Sequence, residues 1–488
     1  MAYKHGLYAQ AFPSGSRRTE NVTDRSVPVY IGTLPVHTAA GGAARVNTPI
    51  LLNDFAQAVK LVGYSDDWAS YTLCEAIYAH LVLCGVGPIC VINVFDPATG
   101  ATEKSVKATP KNNQVVLPDM GNAMLDSLAI TGKDAADYSI SYDYGSERLT
   151  IKGKKEGVLA DEVTVTYKEV DPSGVTDAMV AGTSDGEGTD TGVHLVRQVY
   201  QTTNLIPNRI LAPGFTQSSV VRAAMLKMSA KVNGHFDAFI YTDIPLADAE
   251  GAALKPSGAA AWKADNGYTG DNEKTHWPMW AGTDGKKYHL STLACAILQG
   301  LESSADGIPY QTCSNQELPI GGKLYHGEGV KTALDEQIVN DQLNANGITS
   351  AIFHGGNWVL WGAHTASYTQ ENADRINVSE TNLAMMYYIT NDFQVRRADD
   401  IDKPMSKNRL AQIIAEEQAM LDALGPTGVG ALLYGTANAV TGEDANADML
   451  AGDYTIEWHI TQTPNTKSIT GRCIYTEEGL KTYFEEGE

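Results

Sequence analysis

The chain has 488 residues, 43% hydrophobic and 19% charged, which is enough for about three domains with sizeable cores. Its 36 Lys and Arg residues against 58 Asp and Glu give a formal net charge of -22. That balance argues against a nucleic-acid partner, because phosphate binding depends on clustered positive charge. No apolar run approaches the ~18 residues that cross a bilayer, and the N-terminus lacks a signal-peptide core, so we expect cytoplasmic folding without membrane insertion.

The first segment, residues 1–36, mixes Pro, Gly, Arg and polar residues around one short extended run, VPVYIGT. Such a segment has too little apolar surface to fold alone. It is therefore predicted to be an N-terminal arm that lies on another surface.

Residues 37–95 together with 193–370 have the pattern of an α/β core. Strand TPILL precedes a helix that Asn53 or Asp54 can cap and Gly63 can end, and a second helix follows from about Trp68 to Cys84. The continuous apolar run PICVINVF is typical of a strand covered on both faces. Later strands flank a helix at about 216–232, and further helices follow the same pattern.

Residues 96–192 interrupt this pattern, because helical periodicity largely disappears there. Alternating runs around 138–154 and 161–170 predict a hairpin and a further strand. The segment ends in a Gly-, Ser-, Thr- and Asp-rich loop at 181–192. We interpret it as an inserted, β-rich outer domain.

Residues 371–488 are predicted to form an α+β C-terminal domain that ends in a C-terminal arm. Two helices are expected, and Ser406 and Gly425 can cap the second of them. Apolar residues then alternate around Ile456 and Trp458, as in a strand with one covered face. The fold class is therefore an α/β core with an inserted all-β domain, an α+β C-terminal domain and extended arms at both ends.

Two short motifs raise the alternative of an α/β hydrolase. Gly182 to Gly186 match G-x-S-x-G with Ser184 as the nucleophile, and His354-Gly355-Gly356 could serve an oxyanion hole. However, Ser184 lies in a polar loop without the strand-turn-helix context of a nucleophile elbow, and the His-Gly-Gly run follows the serine instead of preceding it. Since Gly-Gly-Asn also joins two apolar runs, residues 354–357 are predicted to turn a hairpin.

Metal and cofactor motifs are missing from the sequence. The six cysteines show no C-x-x-C spacing, and the Gly-Lys pairs lack the Ser/Thr of a Walker A loop. The acidic loop near Asp185 does not match EF-hand spacing. We expect no enzyme activity, no metal and no cofactor.

Seven runs, in order along the whole chain, resemble the contractile-tail sheath family, the sheath subunits of contractile phage tails and related particles. They are GLYAQAFPSGSRRTENVTDRSVPVYIGT, PNRILAPGF, FDAFIYTDIP, YHLSTLACAI, GIPYQTCSN, NGITSAIFHGGNWVLWGAHTASY and SITGRCIYTEEGLKTYF. No single run is specific, but the ordered set is.

The resemblance implies a structural subunit that polymerises as stacked hexameric rings around an inner tube and contracts to drive the tube through a cell envelope. Its partners would be further copies of itself, the tail tube protein, and baseplate and tail terminator proteins. It would be located in a virion tail or tail-like particle and be made in the bacterial host cytoplasm. The sequence does not separate an infectious phage from a tail-like bacteriocin or another injection particle.

The same resemblance implies that both arms add strands to sheets of neighbouring subunits. The residues expected in these inter-subunit strands are Val27, Val29, Ile31, Ile456, Trp458, Ile469, Cys473 and Tyr475.

It also implies that a C-terminal helix holds the tube, and this role is carried over to Ser406 to Leu424. The expected tube-facing residues are Lys403, Lys407, Arg409, Gln412 and Glu416. Positive charge near a helix N-terminus is disfavoured by about 0.3–1 kcal/mol, which either an acidic partner or solvent would offset. Tube contact and a solvated face therefore stay as two alternatives.

Overall fold

The computed structural model describes residues 26–39, 45–373, 375–442, 449–450 and 452–479. The chain separates into two compact units, with the boundary between Pro404 and Met405. The expected start of the C-terminal domain at residue 371 thus falls inside the first unit.

The described residues form strands and helices throughout both units. The strands are β1 (Ser26–Gly32), β2 (Pro49–Leu52), β3 (Ile89–Asn93), β4 (Thr102–Ala108), β5 (Gln114–Leu117), β6 (Ala129–Ile130), β7 (Tyr138–Asp143), β8 (Arg148–Gly153), β9 (Val163–Glu169), β10 (Ile206–Leu211), β11 (Phe239–Asp243), β12 (Glu273–His276), β13 (Met279–Gly282), β14 (Lys287–His289), β15 (Gly322–Tyr325), β16 (Ile348–His354), β17 (Asn357–Trp361), β18 (Leu432–Ala439) and β19 (Ile456–Gln462). The α-helices are α1 (Phe55–Val62), α2 (Leu73–Tyr78), α3 (Asp177–Ala181), α4 (Val199–Thr203), α5 (Ser219–Ala230), α6 (Pro256–Asp265), α7 (Leu290–Ser303), α8 (Glu336–Ile338), α9 (Glu380–Arg397) and α10 (Lys407–Leu424).

An eight-stranded sheet in the order β17-β16-β12-β11-β10-β1-β3-β2 organises the first unit. The six strands from β16 to β3 are parallel, while β17 and β2 pair antiparallel at the two edges. Strands β3 and β11 are buried at every position, as expected for a parallel sheet covered on both faces. The mixed α/β fold predicted from the sequence is confirmed.

Local signals in the sequence correctly located several elements. The Asp54 side chain accepts a hydrogen bond from the Gln57 N–H at the start of α1, and Gly63 follows its end with a φ of 74°. Strands β16 and β17 form the predicted hairpin, in which Gly355 and Gly356 take positive φ between His354 and Asn357. That geometry favours glycine because a Cβ atom would be strained there.

Strand β1 corrects the expectation for Val27, Val29 and Ile31. It pairs with β10 on one edge and β3 on the other, and these three side chains are fully buried. Both edges of the strand are therefore occupied within the chain, and it cannot add to a neighbouring subunit's sheet. The apolar alternation reflects a central core strand, and the rest of the predicted arm, residues 1–25, lies outside the described residues.

The inserted segment has its own small core. Two three-stranded antiparallel sheets, β4-β9-β6 and β5-β8-β7, bury Leu149, Ile151 and Val165 between them. Side-chain hydrogen bonds link the segment to the first part of the chain, among them one from Tyr71 to Asn122 at 2.8 Å and one from Ser65 to Glu147 at 2.9 Å.

The second unit consists of α10 packed on a two-stranded antiparallel sheet, β18-β19. The Ser406 side chain caps α10 by accepting from the Arg409 N–H, as predicted. The helix buries Ile413, Leu421 and Leu424.

Candidate assembly surfaces

The predicted tube-facing residues are only partly brought together. Arg409, Gln412 and Glu416 share one side of α10, where Gln412 donates to Glu416 at 2.8 Å and Arg409 lies 3.9 Å from the same carboxylate. Lys407 is exposed in the first turn of the helix. Lys403 precedes the helix, beyond the unit boundary, and is also exposed. Three of the five therefore form one continuous polar surface.

The β18-β19 sheet has an open arrangement. Among the described residues each strand has one strand neighbour, so each also has an outer edge. Ile456 and Trp458 of β19 are half-buried, opposite Ala439 and Ala437, whereas Glu457 and His459 point to the exposed face. Leu433 and Tyr434 of β18 are each 54% exposed. Strand edges and exposed apolar side chains thus lie side by side.

The segment after β19 is the most exposed apolar stretch that the structure describes. The Thr463 N–H still bonds to the Ala431 carbonyl, but every residue from 464 to 479 is exposed and no strand is formed. Ile469 and Tyr475 are more than four-fifths exposed, and Cys473 is exposed as well. Exposed apolar side chains that lie together often mark an interaction surface, so the segment has the character of an interaction element.

The residues of the hydrolase alternative do not form a catalytic site. Ser184 lies in an exposed loop, forms an isolated bridge with Asp190, and is followed by turns instead of a helix. His354 sits in the β16-β17 hairpin, 3.6 Å from Glu336. Neither has the strand-turn-helix or oxyanion geometry that acyl transfer requires.

A cleft lies elsewhere in the first unit, beside Ser26, Asn208 and Phe239. Ser26 and Phe239 begin β1 and β11, and Asn208 lies in the first half of β10, so the cleft opens at the amino ends of the parallel strands. Substrates of open α/β sheets bind at the carboxyl ends. Arg209 and Glu302, which also line the cleft, are paired with each other.

Burial in the first unit shifts the pKa of several titratable groups. His80 is fully buried, with Nε2 2.6 Å from the Tyr30 hydroxyl and Nδ1 2.7 Å from Gln299 Oε1. Burial lowers the pKa of His80 to about 4 and raises the pKa of the Cys74 and Cys295 thiols to about 12. Such thiols are poor nucleophiles at neutral pH.

Acidification is expected to destabilise the first unit through His80. The neutral form of His80 is favoured in the folded state. The stability that this preference contributes is complete above pH 6.5 and is lost as the pH falls towards 4. Between pH 7 and pH 5 the contribution to the free energy of unfolding should fall by about 2 kcal/mol. Urea unfolding of His80→Gln should show a weaker dependence on pH over this interval than the wild type. A His459→Gln control, at an exposed position, should keep the wild-type dependence; an unchanged His80→Gln profile would contradict the assignment.

Within the described ranges, no group of three or more His, Cys, Asp and Glu side chains could hold a metal ion. No helix in that same part of the chain is long and apolar enough to cross a membrane.

Comparison with solved structures gives the class of fold. The chain matches the sheath complex of an extracellular contractile injection system, PVC, in the contracted state, with a TM-score of 0.58 and 10% identity over 98% of this chain and 99% of that one. It also matches a chain of the anti-feeding prophage baseplate, with a TM-score of 0.54 and 11% identity over 98% and 100%. The protein has the fold of chains from contractile injection systems.

A curated relative gives a sequence-level match as well. The chain is 25% identical over 517 aligned residues to the tail sheath protein of Burkholderia phage BcepMu, covering 98% of each protein. No family model matches the chain. The resemblance to contractile tail sheath proteins that the sequence motifs indicated is confirmed.

Sequence reasoning missed one residue of the second unit, Gln418. Its side-chain amide hydrogen-bonds to the backbone of β18. The sequence gives no signal for this contact, since a glutamine within a helix is usually a solvated side chain.

Proposed function

We propose that the chain is the structural subunit of a contractile tail sheath, which polymerises as stacked hexameric rings around an inner tube. The observation that carries this proposal is the match to a tail sheath protein along nearly the full length of both chains. An enzyme is not favoured, since the residues of the hydrolase alternative are dispersed.

The second unit has features that suit assembly by strand addition between copies. Its two-stranded sheet has outer edges, and the exposed segment 464–479 contains apolar residues without a strand of their own. We propose that this segment adds to the sheet of a neighbouring copy, where backbone hydrogen bonds supply affinity. Ile469, Cys473 and Tyr475 then belong to the inter-subunit strand. Residues 1–25 stay the predicted N-terminal arm.

The first unit suits a subunit that moves as a rigid body during contraction. Its parallel sheet is covered on both faces, and buried ion pairs such as Lys274–Glu380 connect separate elements. The proposed mechanism is mechanical: subunits shift from an extended lattice to a shorter, wider one, and the extended segments keep neighbours connected. The inserted β-rich segment would decorate the outside.

The partners follow from this function. They are further copies of the chain, the tube, and baseplate and tail terminator proteins, without nucleic acid or a cofactor. The protein would be made in the bacterial host cytoplasm and function in a phage tail or a tail-like particle.

Charge reversal on α10 tests the tube-facing surface. The double variant Lys407→Glu with Arg409→Glu should reduce co-sedimentation with the tube by about tenfold or more, because it reverses two positive charges on the proposed contact. Lys323→Glu with Lys331→Glu, an equal change at exposed sites of the first unit, should bind like the wild type. Undiminished co-assembly of the α10 variant would show that this surface does not hold the tube.

The function itself is tested by negative-stain electron microscopy of the purified full chain at rising concentration, alone and co-expressed with a tube protein. Tubular polymers with six-fold end views are expected. Compact monomers under both conditions would contradict the sheath function.

A further inference from the structure

The side-chain amide of Gln418 lies against the edge of β18. Gln418 Oε1 accepts a hydrogen bond from the Ala437 N–H at 3.0 Å, and Nε2 donates to the Gly435 carbonyl at 3.1 Å. Nε2 also donates to the Asp422 carboxylate, one turn further along α10, at 2.8 Å. Both ends of the amide are therefore engaged, and Asp422 fixes its position.

The backbone groups that Gln418 contacts face away from β19. The Val440 N–H bonds to the Thr455 carbonyl, so these two residues form a hydrogen-bonded antiparallel pair. The register is continuous from Gly435 to Ala439, and hydrogen-bonded pairs alternate along it with non-bonded pairs. Gly435 and Ala437 consequently direct their N–H and C=O groups to the outer edge of β18.

The Gln418 amide thus takes the place of a peptide group from an adjacent strand. A strand alongside β18 would bond to the same Gly435 carbonyl and Ala437 N–H. The two cannot bond at once, because the Ala437 N–H is a single donor and the Gln418 amide lies where the strand's peptide group would be. Exposed edges that offer unpaired backbone groups invite pairing with other chains, and covering them prevents it.

We propose that Gln418 covers the outer edge of β18 in the free subunit, and that its side chain must be displaced before residues 465–477 of a second copy can add there. The proposal rests on the proposed sheath function, which supplies the neighbouring copy. It adds a control on assembly: strand addition must first displace one side chain.

The chemistry of residues 465–477 fits this edge. The segment is exposed, and its β-branched and aromatic residues, including Ile469, Ile474 and Tyr475, favour a strand once a partner is present. Displacement of Gln418 would leave the Asp422 carboxylate beside the edge without its present donor. Arg472 of the incoming strand, which is exposed here, can supply a positive charge to it.

Binding of a labelled peptide to the full-length chain tests the proposal. The probe spans residues 465–477 with Cys473→Ser, and fluorescence anisotropy gives its Kd. Gln418→Ala should bind about tenfold more tightly than the wild type, because the peptide no longer has to break two hydrogen bonds. Gln418→Leu, which keeps most of the side-chain volume but loses the amide, should show the same shift and guards against a packing effect.

The control is Gln201→Ala, which changes an exposed glutamine in helix α4 of the first unit. It should bind the peptide with wild-type affinity. Hydrogen exchange at the Ala437 amide should be faster in Gln418→Ala and slow again with bound peptide.

Two results would overturn the proposal: equal Kd values for the wild type and both Gln418 variants, or no saturable binding by any of them. Neither would overturn the sheath function, which is read separately from tubular polymers of the unaltered chain.

Discussion

Glu380→Gln is expected to lower the free energy of unfolding of the first unit by about 3–5 kcal/mol. The Glu380 carboxylate pairs with the Lys274 ammonium and accepts from the Tyr241 hydroxyl, and the Lys274 side chain is 0% exposed. The variant leaves a buried positive charge without its counter-charge. Because Glu380 begins α9 and Lys274 lies in β12, the loss should also release that helix end from the sheet.

The control for this prediction is Glu169→Gln. Glu169 pairs with Lys104 at 3.2 Å, but the two side chains are 40% and 49% exposed, so the change should stay within about 0.5 kcal/mol. Urea unfolding followed by tryptophan fluorescence compares the two variants with the wild type. Equal destabilisation by both variants would show that burial of the Lys274–Glu380 pair does not increase its effect on the free energy of unfolding.

A chain that ends at Pro464 is expected to fold normally but to require more than about a hundredfold higher concentration to polymerise. It loses the exposed segment that we propose adds to a neighbouring sheet, and with it several backbone hydrogen bonds of about 1 kcal/mol each. Thermal unfolding should hardly change, since the described residues removed form no strand with the rest of the chain. Light scattering against concentration measures the polymerisation threshold.

The control keeps the segment and changes exposed apolar residues elsewhere. Val116→Ser with Val220→Ser, at positions 47% and 57% exposed in the first unit, should polymerise at the wild-type threshold. The triple change of Ile469, Ile474 and Tyr475 to Ser should raise the threshold as the truncation does. Polymerisation of the truncated chain at the wild-type threshold would rule out the segment as an assembly strand.

The parts of the fold that sequence predicted are those with local causes. The cap at Asp54, the end of α1 at Gly63 and the His354 to Asn357 hairpin depend on residues within a few positions of each other. The place of β1 depends on pairing with β10, which begins at residue 206. The sequence indicated an extended run there, but nothing local indicates which strands flank it.

The assembly surfaces likewise combine features that the sequence predicted locally with features that depend on tertiary packing. The bounds of α10 followed from Ser406 and Gly425 as its caps, whereas the contact of Gln418 with β18 depends on tertiary packing. Ile469 to Tyr475 has strand-like composition, yet it forms no strand and is exposed in the isolated chain. A strand requires a partner edge, and one sequence cannot show whether that partner is the same chain or another.

The most direct test of the account is a cryo-electron microscopy reconstruction of polymers formed by the full chain. We expect each β18-β19 sheet to carry at least one additional strand, built by residues 465–477 of another copy. A helical lattice whose subunits meet through side chains alone, with residues 465–477 outside every neighbouring sheet, would contradict it.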